Sequence, residues 1–193
     1  DSASVELVDS VILSAPASNL GTWQDSLVFE AVKLAGIGLT SQSRDVLIQG
    51  GTSVPKSYDN YLKAVGYSQF ESHSNIIDSV IKYYRFAIEE DPSYAMAYTK
   101  LANMYYKNEK KFFDEAVKCC NEAIKLSDRI IETYIILSNI YCDKEEYRTA
   151  FYNLGEARLI DSVNYFVFLG MADLYEKQND KKDAEKSYKK LIE

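Results

Sequence analysis

A period of 34 residues runs through the second half of this chain and restricts its fold more than any other feature. Ala123, Ala157 and Leu191 stand 34 residues apart, and Ala87 precedes Ala123 by 36, so the connection at Lys107 to Phe112 carries two extra residues. Three segments align on this period: Ala95 to Asp128, Ile131 to Ser162, and Tyr165 to Glu193. Each opens on an aromatic, a larger apolar residue, a small residue and a Tyr. These are Tyr98, Leu101, Ala102 and Tyr105, then Tyr134, Leu137, Ser138 and Tyr141, then Phe168, Met171, Ala172 and Tyr175. A polar break follows, and then a second apolar run: Ala116, Cys120 and Ala123, then Ala150, Leu154 and Ala157, then Ala184, Tyr188 and Leu191. Self-similarity at such a spacing is the mark of stacked supersecondary units.

Within each segment apolar residues recur at i, i+3, i+4 and i+7, as in an amphipathic helix. Small residues such as Ala102, Ser138 and Ala172 let the two helices of a hairpin approach closely, and the aromatics fill the gaps between hairpins. No single unit can bury its apolar face, so stacking must supply the core. An earlier, irregular unit precedes the three. Ile77, Val80, Ile81, Tyr84, Ala87 and Ile88 predict a helix ending at Asp91-Pro92. Its partner is Ser57 to Tyr67, with Tyr58, Tyr61, Leu62 and Val65 on one face and a longer connection around Gly66 to Ser74.

The period and the order of large, small and aromatic positions resemble the tetratricopeptide repeat family. Tyr or Phe stands where that family usually has Trp, and Asp91-Pro92 stands at the expected turn, but Asp128 and Ser162 occupy later turn positions where Pro is common. The resemblance covers about Tyr58 to Glu193. It implies a mainly α fold, a right-handed superhelix of antiparallel helix hairpins in about four units: 56–91, 95–128, 131–162 and 165–193.

Residues 1–50 do not share the repeat and read as a short, partial α/β segment with a connector. Val5 to Val8 and Val11 to Leu13 are β-favouring runs, and Trp23 to Leu34 reads as a helix. Gly36, Gly38, Gly50 and Gly51 with several Ser and Thr then form a connector closed by Pro55. Two strands and a helix are too few for an independent domain. This order resembles bacterial envelope or signalling proteins in which a small α/β domain, of the FlgO or TolB N-terminal type, runs into tetratricopeptide repeats. It implies that the chain begins inside such a domain. The last helix, ending at Leu191-Ile192-Glu193, shows an apolar side with no successor, whereas terminal repeats need a polar outer face. The chain is therefore expected to continue, or to bury that end against another subunit by self-association through the C-terminal helix.

A formal charge of −7 over 193 residues argues against nucleic acid and against an anionic membrane surface, both of which need clustered Lys and Arg. The doublets Lys181-Lys182 and Lys189-Lys190 lie between acids and read as solvated helix surface. No run approaches the roughly 20 apolar residues of a membrane span, so no membrane insertion is expected. Cys119, Cys120 and Cys142 read as buried or half-buried free thiols. They fit a reducing compartment and leave a bacterial periplasm or envelope open. His73 reads as a solvated loop residue, and the three cysteines match no zinc spacing. Gly36-Ile37-Gly38 lacks the third Gly of a dinucleotide fingerprint, and Gly50-Gly51-Thr52-Ser53 lacks the Lys of a phosphate loop. Glu89-Glu90 and Glu145-Glu146 read as solubilising pairs. No catalytic residue, cofactor or metal is expected; the chain reads as not an enzyme.

In the family that the repeat resembles, the first helices line a concave groove that takes a peptide or helix. Carried onto this sequence, the groove positions are Met96, Thr99, Asn103 and Tyr106, then Glu132, Ile135, Asn139 and Cys142, then Phe166, Leu169, Asp173 and Glu176. Asn103, Asn139 and Asp173 hold equivalent places. An Asn there pairs with the backbone of an extended peptide, donating and accepting at once; merely solvated polar groups are the alternative of equal weight. Family members that grip a C-terminal carboxylate use Lys and Arg at these positions. Here only Lys63 is basic and the far end is acidic, so a chaperone-tail adaptor is not expected. Phe166 and Leu169 suggest an apolar patch, or a face covered by a further helix. Two functions fit: a scaffold or adaptor for a protein or peptide partner, and a regulatory or sensory segment of a larger bacterial signalling or cell-envelope protein.

Overall fold

The computed structural model describes residues 51–69 and 74–191; the expectations for residues 1–50 and for His73 lie outside them. Among the described residues there are eight α-helices and no strand. They are α1 Pro55–Ser68, α2 Ser74–Glu90, α3 Ala95–Asn108, α4 Phe113–Leu126, α5 Ile131–Asp143, α6 Tyr147–Ile160, α7 Tyr165–Lys177 and α8 Lys181–Lys189. Consecutive helices pack in pairs, giving four hairpins, and each hairpin leans on the next. Pro55 opens α1, where its missing N–H costs nothing. The two extra residues between α3 and α4 are taken up by a 3-10 turn, Lys110–Phe112. None of these helices is long and apolar enough to cross a membrane.

The last turn between hairpins shows how a unit manages without Pro. The Asp91 carboxylate accepts from the Ser93 amide at 2.9 Å, the Ser93 hydroxyl at 2.6 Å and the Thr52 hydroxyl. Asp161 holds the same place before α7 and accepts from the Val163 amide at 3.1 Å and the Asn164 side chain at 3.1 Å. Asn164 then caps α7 by accepting from the Phe166 amide at 3.1 Å. Aspartate side chains thus close these turns as Asx turns do. Ser127 occupies the third such place, and its buried hydroxyl has no partner among the described residues.

Burial of Asp91 pushes its carboxyl pKa up, but the hydrogen bonds from Ser93 and Thr52 outweigh it and hold the carboxyl below its ordinary range. A depressed native pKa contributes stability that is complete above the unfolded value of about 3.9 and is lost as pH falls through the native value. Asp91→Asn is therefore expected to flatten the acid limb of the stability curve below about pH 4. Urea midpoints measured down that limb check it; an acid limb as steep as the native one would assign acid unfolding to other carboxylates.

After α5 and α7 the backbone turns left-handed at Glu145 and Asn179, both at φ 62°. The Glu146 amide reaches the Tyr141 carbonyl at 2.8 Å, and the Asp180 amide reaches the Tyr175 carbonyl at 2.8 Å, one repeat later. These are helix stops that Gly or Asn accepts and Glu resists. Glu145→Gly relieves about 1–2 kcal/mol of left-handed strain against roughly 0.5–1 kcal/mol of added chain entropy. A small rise in the urea midpoint is expected, and a fall would mean that the Glu145 side chain makes a stabilising contact.

Alanines form the spine of the core. Ala64, Ala87, Ala102, Ala116, Ala123, Ala150, Ala157 and Ala172 are all fully buried, which lets helix backbones approach. Around them pack Val80, Tyr84, Leu101, Phe113, Leu137 and Ile140 in one cluster and Leu154, Leu174 and Cys142 in the next. Tyr84, Tyr94, Tyr105 and Tyr134 are buried, and the Tyr61 ring packs tilted against Tyr94 with ring centroids 5.1 Å apart. The cysteines are free thiols, as the sequence suggested. Burial pushes Cys119 up to about 11, far from the thiolate form that reactivity requires.

Contacts between hairpins are unequal on the two sides. The first helices touch in series, α3 on α5 and α5 on α7, whereas α4, α6 and α8 make no comparable contacts with one another. A stack closed on one side and splayed on the other curves toward the closed side. The concave face is therefore lined by α3, α5 and α7.

Candidate functional site

Polar ties between neighbouring first helices build this inner face. The Thr99 and Thr133 hydroxyls meet at 2.7 Å in the α3–α5 seam, with Thr99 also donating to the Ala95 carbonyl at 3.2 Å. Lys100 pairs with Glu132 at 2.5 Å across the same seam. Farther along, the Tyr106 hydroxyl donates to Asp143 at 3.2 Å, and Lys177 reaches the other oxygen of Asp143 at 3.3 Å. Burial, with the neighbouring Asp143 charge, pushes the Tyr106 phenol up to about 12, so it stays a neutral donor.

Beside the Tyr106–Asp143–Lys177 tie opens a cavity of about 360 Å³. Five of the residues placed in the groove from sequence line it: Tyr106, Asn139, Cys142, Asp173 and Glu176. Sequence reasoning missed Ser138, Asp143, Gly170 and Lys177, which line it too. One signal was available for two of them, because Asp143 and Lys177 carry opposite charges one period apart. Gly170 keeps the wall thin: a Cβ there would lie 3.1 Å from a methyl of Leu154.

The other groove positions fall elsewhere. Thr99 is fully buried, so it is not part of the groove surface; its hydroxyl contact with Thr133 closes the seam between α3 and α5. Met96 packs beside Tyr58, Tyr61 and Tyr94 at the first hairpin. Ile135 is half-buried against residues of the later hairpins. Glu132 is engaged by Lys100. Leu169 is half-buried, and Phe166 is 60 % exposed at the start of α7 beside Tyr165. Asn103 and Asn139 are half-buried on α3 and α5, and neither side chain has a hydrogen-bond partner among the described residues. Lys63, the basic residue of the first unit, pairs with Asp59 at 2.6 Å.

Neither a protein-family model nor a curated protein sequence matches the chain. Solved structures do. A thermophilic TPR protein of Thermus thermophilus aligns over 89 % of this chain and 81 % of its own, with TM-score 0.62 at 14 % identity. MamA of Desulfovibrio magneticus RS-1, from residue 41 to its end, aligns over 92 % of this chain and 94 % of its own, with TM-score 0.60 at 11 % identity. The fold is that of tetratricopeptide repeat proteins. The TPR domain of Arabidopsis OM64 adds a further likeness, over 63 % of this chain and 96 % of its own, with TM-score 0.57 at 15 % identity. The four hairpins of this chain, Pro55–Ser68 onward, are tetratricopeptide-type units, and the cavity lies on the face formed by their first helices.

Proposed function

We propose that the chain is a protein-interaction scaffold that binds an extended segment or helix of a partner along the inner face of α3, α5 and α7. The observation that carries this reading is the state of Asn103 and Asn139: half-buried, at equivalent places, and without a side-chain partner among the described residues. Each amide reaches water in the free chain and can exchange that water for the N–H and C=O of a peptide backbone. The repeat fold supports the reading, since stacked repeats present extended concave surfaces.

A second reading, a segment covered within a larger signalling or envelope assembly, is favoured by a different surface. Leu159, Val163 and Phe166 are 82 %, 80 % and 60 % exposed around the turn from α6 to α7, and such exposed apolar clusters mark contact sites. One experiment separates the two. The native chain and an Asn103→Ala, Asn139→Ala, Asp173→Ala variant, shown to melt alike, are used as bait in the source lysate. A partner kept by the native chain and lost by the variant supports the groove. A partner kept by that variant but released by Leu159→Ser with Val163→Ser supports the covered edge and contradicts the groove.

A further inference from the structure

We infer that the cavity between α5 and α7 takes a cationic side chain, a Lys or Arg of the bound segment. This rests on the groove reading above and names the chemistry that the groove selects. Three carboxylates line the cavity, Asp143, Asp173 and Glu176, against one cation, Lys177. Lys177 is already committed to Asp143 at 3.3 Å. Asp173 and Glu176 are exposed and lack an ion pair among the described residues. They stand three residues apart on α7, hence on one face, and the Tyr188 hydroxyl donates to Asp173 at 3.3 Å.

A second, independent feature points into the same space. Ser138 is only 2 % exposed, lines the cavity, and its hydroxyl has no hydrogen-bond partner among the described residues. Beside it the Asn139 amide is likewise unpartnered. Two carboxylates without a cation, with neutral acceptors behind them, suit the donor-only head of Lys, and the five-donor fork of Arg still better. An anionic or C-terminal carboxylate ligand meets the opposite: no uncommitted cation on the wall and a chain of net charge −7. The volume, about 360 Å³, accommodates one long side chain with water around it.

The test selects a random dodecapeptide library displayed on phage against the immobilised full chain, then measures the winning synthetic peptides by fluorescence anisotropy. Enrichment in Lys or Arg is expected. Affinity for those peptides should fall at least about tenfold in Asp173→Asn with Glu176→Gln, which removes two charge-assisted partners without changing shape. It should hold in Glu89→Gln with Glu115→Gln, which removes the same charge from exposed helix surface. Peptides without a basic bias, or basic peptides indifferent to the α7 variant, overturn the inference; if those peptides are still lost in Asn103→Ala with Asn139→Ala, the groove reading survives. Peptides indifferent to the asparagine variant as well, or no enrichment at all, overturn both.

Discussion

Leu154→Ala is expected to destabilise the chain by about 3 kcal/mol and to loosen its last hairpin ahead of the rest. Leu154 is fully buried on α6, packed with Ala150, Cys142 and Leu174. Its two methyls lie 3.1 and 3.3 Å from where a Cβ on Gly170 would stand, so it fills the joint that the missing side chain leaves between α6 and α7. Truncation opens a cavity that neither backbone can close without sliding past the other. In a repeat stack each unit depends on its own packing and on its nearest neighbour. The damage should therefore concentrate in α7 and α8, whose amides are expected to lose hydrogen-exchange protection before those of α3 to α5. Gly170→Ala added to Leu154→Ala puts back part of the lost volume and should recover stability. A loss below about 1 kcal/mol, outside the usual Leu→Ala range, or exchange rising uniformly along the chain, would contradict this picture of the joint.

The largest coupling is expected at Thr99 and Thr133. Both residues are fully buried, and their hydroxyls meet at 2.7 Å between helices that belong to different hairpins. Replacing Thr99 with Val strands the Thr133 hydroxyl in the seam, at a cost of about 1–3 kcal/mol, whereas replacing Thr133 leaves Thr99 its bond to the Ala95 carbonyl and costs less. Replacing both removes the need along with the bond, because the volume is kept and no buried polar group remains unpaired. The double variant is therefore expected to be more stable than the sum of the single losses, with a coupling of roughly 1 kcal/mol. Urea unfolding of the four chains measures it directly. Strict additivity would mean that each hydroxyl is satisfied locally, as Thr99 is in part by the Ala95 carbonyl at 3.2 Å.

These two sites also mark how far the sequence could be read. The joint at Leu154 was legible, since Ala150, Leu154 and Ala157 recur one period after Ala116, Cys120 and Ala123, and a period reports which residues face a neighbour. Equivalence of position did not report depth. Thr99 and Ile135 hold the same place in their repeats, yet Thr99 is fully buried and Ile135 only half-buried, because the partner across each seam differs. Turn chemistry was partly hidden for a similar reason: where the expected Pro is absent at Ser162, the turn is closed by the Asp161 and Asn164 side chains on backbone amides, a pairing that the repeat pattern does not display. Within the cavity, Asn139, Asp173 and Glu176 could be placed from the repeat. Ser138 could not, because its position is the one that repeats reserve for a small packing residue.

The most direct measurement of the groove is photo-crosslinking from defined positions. Benzoylphenylalanine in place of Tyr106, an aromatic that lines the cavity, is compared with the same group in place of Tyr152, which is 65 % exposed on α6. A chain that binds through its inner face captures its partner from position 106 and not from position 152. Capture from position 152 alone would contradict the groove and place the partner on the outer helices.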